Sequence, residues 1–202
     1  MITDQDLLQL AQKGDIRAFH TLFLAFQPQL KSYLYRLVAN RNDMEDLVQD
    51  VFIIAFENIK GFRGEASLKT WVFTIATNRA RKHLKHSQRW VTDTFDHTRQ
   101  LAYADGQMME LIDHSHQNAP QGTYEIREHI DYCFTCVTKM LPLKQQITLI
   151  LKDIYGFKIS EIAGILDTSE SIVKHALHNA RNTMIRIFDK TCALVNKNGV
   201  CN

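Results

Sequence analysis

Apolar residues at helical spacing constrain this chain more than any other feature of its sequence. Up to about residue 84, and again from about residue 124 to residue 194, apolar side chains recur three or four positions apart, the period of one helix face. No stretch of useful length alternates apolar and polar residues as a half-buried strand does. The sequence therefore predicts an all-α fold, with two small helical domains joined by a flexible linker.

Interruptions of the periodic pattern predict the domain boundaries. Turn-forming residues divide the first half into about four helices. The stretch from 91 to 123 is polar and weakly periodic, and 202 residues suffice for two small domains that each bury a core. We expect a helical domain over 1–90, a linker over 91–123, a second helical domain over 124–191 and a tail over 192–202.

The second predicted domain contains a helix-turn-helix pattern. Ile159, Ile162, Ala163 and Leu166 place an apolar stripe on a short helix, because their spacing is i, i+3, i+4, i+7. After a three-residue turn, Thr168 or Ser169 can cap a longer helix. The buried stripe of that helix is predicted at Val173, Ala176, Leu177, Ala180, Met184 and Ile187.

Polar residues occupy the outward face of this longer helix near its start. Their side chains can donate hydrogen bonds to phosphates or to base edges in a major groove. They are Ser171, Lys174, His175, His178 and Arg181. The pattern alone fits equally well an ordinary helical hairpin with a polar exposed face.

Charge and hydropathy limit the remaining function classes. The net charge of +2 is too small to indicate a nucleic-acid binder, but the stretch from 79 to 89 holds five basic residues and no acidic one. No apolar run is long enough to span a bilayer, and the acidic N-terminus does not resemble a secretory signal. We expect a cytoplasmic protein without membrane insertion. We find no catalytic constellation in the sequence, so we expect no enzyme.

Two separated blocks of sequence resemble one family. The segments Asp46–Phe52 and Phe62–Asn78 closely resemble region two of extracytoplasmic-function sigma factors. Leu141-Pro142, the helix from Gln145 to Leu151, Glu161-Ile162-Ala163 and Ala180-Arg181 resemble the fourth sigma region. The resemblance covers about residues 5–88 and 126–188, in the family's order and spacing. Two departures are Ile172, where a threonine is common, and Asp167, where a glycine is common.

The resemblance implies partners and site residues. Core RNA polymerase would be bound through its beta-prime clamp helices and beta flap, and an anti-sigma factor is a further expected partner. The surface implied to dock on polymerase comprises Asp46, Gln49, Asp50 and Phe52.

Promoter DNA is the other implied partner. The loop Lys60–Ser67 resembles the loop that receives a flipped base of the minus-10 element, with Phe62 and Arg63 as contacts. Asn78, Arg79 and Lys82 would hold the duplex just upstream, and the polar face of the helix-turn-helix would read the minus-35 element. Trp71 and Phe73 lie where the family melts DNA, although the spacing of Trp71 with Leu68 and Ile75 favours core packing for Trp71.

The cysteines are not part of the family pattern. His129, Cys133 and Cys136 fall on one helix face and can converge on a zinc ion, with Cys192 or Cys201 as the fourth ligand. Two other interpretations remain open: a redox-switchable dithiol, and plain packing of small buried cysteines. We refer to residues 129–136 as the His-Cys run.

Three function classes therefore remain. The first is a sigma factor regulated through a metal or thiol site. The second is a stand-alone helix-turn-helix regulator, which has no use for a strand-capturing block such as Asp46–Asn78. The third is a metal- or redox-sensing interaction protein.

Overall fold

Every regular element of the described structure is helical. The computed structural model describes residues 3–86, 134 and 137–191. The first half holds α1 Asp4–Gln12, α2 Ile16–Leu24, α3 Gln27–Val38, α4 Arg41–Asn58, a 3-10 turn at Ile59–Gly61, and α5 Leu68–His86. The later residues form α6 Leu143–Leu149, a π-helical turn at Ile150–Ile154, α7 Ile159–Leu166 and α8 Glu170–Thr191. The predicted all-α fold is confirmed.

Side-chain caps fix where the first helices begin. The Thr3 hydroxyl accepts the N–H of Asp6 at 3.2 Å, and the Asp6 carboxylate accepts the N–H of Thr3 at 2.9 Å. The backbone N–H of Thr3 and its hydroxyl, the latter at 2.7 Å, both donate to the Asp6 carboxylate, and these two hydrogen bonds lower the pKa of the Asp6 carboxyl below its usual value. Asp15 and Asn40 cap α2 and α4 in the same manner. Each cap satisfies a backbone N–H that has no partner inside its helix.

A helix break at Ala25–Phe26 separates α2 from α3 and was not predicted. Pro28 lies in the first turn of α3, where its missing N–H costs nothing and its fixed φ suits a helix start. The first half therefore holds five α-helices, one more than the apolar pattern indicated.

The chain divides into two compact units that are not continuous in sequence. The first unit joins Met1–Ser87 to Ile147–Leu177, and the second joins Gln88–Gln146 to His178–Asn202. The domain boundaries predicted at 90 and 124 lie outside the described residues and stay predictions. Within the described ranges, no helix is both long and apolar enough to cross a membrane.

Aromatic rings fill the space between α2 and α4 in the first unit. Phe19 and Phe23 are fully buried, and the ring of Phe52 lies 5.2 Å from the first and 5.1 Å from the second. Phe26 and Phe56 extend the cluster at its sides. This packing holds α4 in a fixed orientation and leaves its opposite side exposed.

A second aromatic cluster joins α3 and α5 to the chain between the π-helical turn and α7. The rings of Phe73 and Phe157 lie 5.0 Å apart, and Tyr155 contacts both Phe73 and Tyr33. The Lys69 ammonium lies 4.9 Å from the centre of the Phe157 ring, within cation-π range. The first unit therefore has one core built from distant parts of the sequence.

The helix-turn-helix takes the predicted form. The turn at 167–169 separates α7 from α8, and Asp167 adopts the left-handed conformation with φ of 49°. The Ser169 hydroxyl accepts the N–H of Ile172 at 3.4 Å, as expected for a residue that caps α8. The predicted apolar stripe of α8 is buried from Val173 to Met184, and Ile187 is half-buried.

Candidate nucleic-acid interface

The outer side of α4 is acidic and carries one exposed apolar side chain. Asp46, Ile53 and Glu57 lie seven and four residues apart and therefore on one side of the helix. Ile53 is 52% exposed. Of the residues predicted for polymerase docking, Asp46 and Gln49 are exposed on this side, whereas Phe52 is half-buried in the aromatic cluster of α2 and α4.

Two side-chain contacts connect α4 to α5. Asp50 binds the guanidinium of Arg79, and Asp43 lies 3.2 Å from the Nε2 of His83. Asp50 was predicted to bind polymerase and Arg79 to bind DNA, so the structure joins two residues assigned to different partners. About a third of the Arg79 side chain is exposed, and its Nε is buried without a hydrogen bond.

The loop between the 3-10 turn and α5 is anchored at its first residue. The Gln12 side chain donates a hydrogen bond of 2.9 Å to the Phe62 carbonyl, and the rings of Phe62 and Trp71 lie 5.3 Å apart. Arg63 is exposed and lies 3.9 Å from the carboxylate of Glu65. Gly64 has a φ of 74°, a backbone conformation that a residue with a side chain rarely adopts. The loop thus presents Arg63 to solvent from a fixed starting point.

The two aromatic residues of α5 do not occupy the environments expected for them. Trp71 was expected in the core, but it is half-buried, because the buried face of the helix runs through Thr70, Phe73, Thr77 and Ala80. Phe73 was implied to lie where DNA is melted, yet its side chain is fully buried between Tyr33 and Phe157. In this structure the ring of Phe73 is not accessible to a base.

A shallow basic groove lies along the C-terminal half of α5. Its volume is about 380 Å³, and the side chains that line it are Asn78, Arg81, Lys82 and Lys85. These residues lie three, four and seven positions apart and so share one side of α5. Two of the predicted DNA contacts, Asn78 and Lys82, belong to this groove. Arg79 lies about 100° away around the helix, which directs it to α4.

The five residues predicted to read the minus-35 element are all exposed on α8. Lys174 lies 3.8 Å from Glu170 in an i, i+4 pair, and the His178 ring is hydrogen-bonded to the Asn182 amide at 2.9 Å. Ile172 is also exposed near the start of the helix, to 46%. The outward face of α8 is therefore mostly polar and contains one large apolar side chain in its first turn.

The predicted metal ligands His129, Cys133, Cys136, Cys192 and Cys201 lie outside the described residues. The described ranges contain no group of three or more His, Cys, Asp or Glu side chains placed to hold a metal ion. The zinc site therefore stays a prediction.

Three site residues were missed by the sequence interpretation. Arg81 and Lys85 complete the basic groove, and their spacing of three and seven from Asn78 would have identified them. Ile53 lies seven residues after Asp46, so it shares the acidic side of α4. From sequence alone, an isoleucine on a helix is assigned to the hydrophobic core, unless it is already known which face of the helix is buried.

Comparisons with known proteins agree with this arrangement. The family model for sigma-70 region 2 matches residues 22–90, and that for sigma-70 region 4 matches residues 132–184. Together they match more than half of the chain. The first match contains α4, the loop and the basic groove, and the second contains the helix-turn-helix.

Curated relatives align over nearly the whole chain. The extracytoplasmic-function RNA polymerase sigma-E factor of Escherichia coli is 28% identical over 184 residues, which cover 91% of this chain and 93% of the relative. The sigma-E factor of Haemophilus influenzae is 27% identical over 180 residues, with coverage of 89% and 92%. The RNA polymerase sigma-H factor of Pseudomonas aeruginosa is 26% identical over 183 residues, with coverage of 90% and 91%.

Two solved structures share the fold. CnrH in complex with the cytosolic domain of CnrY matches with a TM-score of 0.65 and 19% identity, over 92% of this chain and 97% of the other. The sigma factor RpoE in complex with the anti-sigma factor NepR from Bartonella quintana matches with a TM-score of 0.54 and 22% identity, over 82% and 92%. With two family regions in order and relatives along its length, the chain belongs to the extracytoplasmic-function family of RNA polymerase sigma factors.

Proposed function

We propose that this chain binds core RNA polymerase and directs it to promoters through two separate DNA-reading surfaces. The observation that carries the proposal is the presence, in one chain, of the basic groove on α5 and the exposed face of α8. A repressor with a helix-turn-helix needs only the second surface. The basic groove on α5 is needed only by a protein that also binds a second promoter element.

The outer side of α4 is the proposed polymerase surface. Ile53 supplies an apolar anchor, and Asp46 and Glu57 flank it with negative charge. An exposed apolar residue with charged residues on either side is typical of a docking surface, and the negative charge of the carboxylates favours a partner with basic residues. We assign the clamp helices of polymerase to this surface, with Ile53 rather than Phe52 as the apolar contact.

The loop before α5 and the basic groove form the proposed minus-10 surface. Arg63 is exposed next to the anchored Phe62, where it can contact a phosphate of an unpaired strand. In the groove, three cations on one side of α5 fit consecutive backbone phosphates, and Asn78 adds a side chain that can pair with an adenine edge. Capture of unstacked bases supplies the energy of strand separation, so no catalytic residue is required.

The exposed face of α8 forms the proposed minus-35 surface. The second helix of a helix-turn-helix lies in the major groove, and its N-terminal residues contact base edges. Ser171, His175 and His178 are exposed along this part of α8, and Lys174 and Arg181 add positive charge for phosphates. We therefore propose the same five residues that the sequence predicted as contacts of the minus-35 element.

Regulation and location remain predictions of the sequence. Zinc or redox control through the His-Cys run depends on residues outside the described structure. An anti-sigma partner is proposed by analogy with RpoE, whose structure was solved with one. The cytoplasm is the expected location, since core polymerase would be the partner.

Reconstituted transcription with purified core polymerase tests the proposal. We expect the chain to bind core polymerase and to start transcription at a defined set of promoters. A chain that binds duplex DNA specifically but never associates with core polymerase would instead be a stand-alone regulator. Absence of both activities would contradict the proposal.

Charge-removal variants test the basic groove separately. The double variant R81A/K82A should weaken promoter binding and reduce the slope of log K against log salt by about 2, since each lost phosphate contact removes about 0.9. Arg17→Ala is the control, because Arg17 is an exposed cation on α2 and is not among the residues that line the groove. If the two proteins showed the same salt slope, the groove would not contact DNA.

Variants of the α4 surface test polymerase docking. Ile53→Ala should weaken core binding severalfold without changing the affinity of α8 for duplex DNA. Leu24→Ala is the control, because Leu24 is 48% exposed and lies on α2. Equal loss of core binding in both variants would rule out Ile53 as a specific anchor.

A further inference from the structure

Ile172 is an exposed isoleucine within a polar surface. It is the third residue of α8, and 46% of its side chain is accessible to solvent. The residues on either side of it along the exposed face, Ser171 and His175, are polar and exposed. Ile172 lies outside the buried stripe that begins at Val173, so packing within the chain does not account for an apolar side chain at this position.

The local backbone holds Ile172 in a fixed direction. Its N–H is hydrogen-bonded to the hydroxyl of Ser169, which caps the helix. A β-branched side chain in a helix has one strongly preferred χ1 rotamer, so little rotamer freedom is lost when it is covered. Ile172 is thus a rigid apolar projection in the first turn of the second helix of a helix-turn-helix.

Only one apolar group is displayed by base pairs in the major groove. Guanine, cytosine and adenine present hydrogen-bond donors and acceptors there, whereas thymine adds a C5-methyl group. An isoleucine side chain can neither donate nor accept a hydrogen bond. Against any other base edge, it would leave polar groups without water or a partner, which is unfavourable.

We infer that Ile172 reads the methyl group of a thymine in the minus-35 element. This rests on the proposed function, which places the start of α8 in the major groove. Ile172 would thereby act as a specificity residue, since a cytosine or an adenine in place of that thymine presents no methyl group. The neighbouring polar side chains bind phosphates and other base edges, and Ile172 contributes selectivity at one base pair.

Removal of the thymine methyl group tests the inference without altering hydrogen bonding. The holoenzyme formed with core polymerase is used to select a promoter from a random duplex library. Each thymine of the minus-35 element is then replaced in turn by deoxyuridine. We expect one position at which the loss of the methyl group weakens binding about fourfold, the effect of burying one such group.

Variants of Ile172 assign that effect to its side chain. In I172A the deoxyuridine effect at that position should fall below about 1.5-fold, and in I172V it should persist, because valine keeps the branched methyl groups. Ile185→Ala is the matched control: Ile185 is 65% exposed on the same helix but lies about 20 Å further along it. This variant should retain the full fourfold effect. Thermal unfolding of each variant checks that the fold is intact.

Several results would overturn the inference. They are a selected element without thymine, equal binding of thymine and deoxyuridine at every position, and an unchanged methyl effect in I172A. Each of these leaves the proposed function intact as long as the holoenzyme selects a promoter. A holoenzyme that selects no promoter refutes the proposed function, and the inference with it.

Discussion

A buried hydrogen bond between α3 and α5 leads to an asymmetric prediction for two conservative substitutions. The Thr77 hydroxyl donates its proton to the Phe73 carbonyl at 2.7 Å. A hydroxyl has one proton, so at its 2.7 Å contact with Tyr33 the Thr77 oxygen must accept and the Tyr33 hydroxyl must donate. Both side chains are fully buried.

The two substitutions leave different groups unsatisfied. Tyr33→Phe removes the donor, and Thr77 keeps its bond to the backbone, so unfolding free energy should fall by about 1 kcal/mol. Thr77→Val has nearly the same shape but leaves the Tyr33 hydroxyl buried without an acceptor, which should cost about 2 kcal/mol. The double variant Y33F/T77V should be more stable than T77V, because no polar group is then left unpaired.

Urea denaturation followed by circular dichroism measures these differences. Comparison of midpoints at equal m-values avoids the error of long extrapolation. We expect the unfolding free energy to decrease from wild type to Y33F to T77V, and the double variant to be more stable than T77V. If T77V were as stable as Y33F, or if the two effects were additive, the assigned direction of the hydrogen bond would be wrong.

Three further predictions concern charge and metal. Burial raises the pKa of Tyr33 above its usual value near 10. The tyrosine therefore ionises in the unfolded chain at a lower pH than in the folded protein. Above about pH 10, the unfolding free energy of the wild type should fall by up to about 1.4 kcal/mol per pH unit relative to that of Y33F, as circular dichroism would show. A double-mutant cycle on D50A and R79A should give a coupling energy of about 0.5 to 1 kcal/mol in unfolding free energy, since the pair is partly exposed; zero coupling would mean that the ion pair contributes no stability. Protein purified without chelator should contain about one equivalent of zinc if the His-Cys run binds metal; less than about a tenth of an equivalent, with all thiols titratable, would exclude it.

The helix-turn-helix could be predicted from sequence in detail because the apolar stripe of each of its helices is local in sequence. Each buried residue of α7 and α8 lies within a few positions of the next, so periodicity alone identifies the stripe. The structure also explains why Asp167 can stand where the family commonly has a glycine. The residue adopts the left-handed conformation that glycine favours and that aspartate tolerates better than most residues do.

The environment of α5 could not be predicted in this way. Apolar and small polar residues occur on several sides of this helix, so the pattern did not distinguish Trp71 from Phe73 as the buried ring. The deciding partners are Tyr155 and Phe157, which are remote in sequence. Similarly, nothing in the basic cluster indicates that Arg79 pairs with Asp50, which lies on α4, 29 residues earlier in the sequence.

The core shared by α5 and α7 has a consequence for chain entropy. Thr70 donates a hydrogen bond of 3.1 Å to Glu161, which is 91 residues away in sequence. Closing a chain loop of that length costs about 4 kcal/mol, and each doubling of the length adds only about 0.6 kcal/mol. This contact should therefore be among the last to form during folding, and insertions between the two family regions should weaken it only slightly. Its strength is set by the surfaces of α5 and α7 rather than by the length of chain between them.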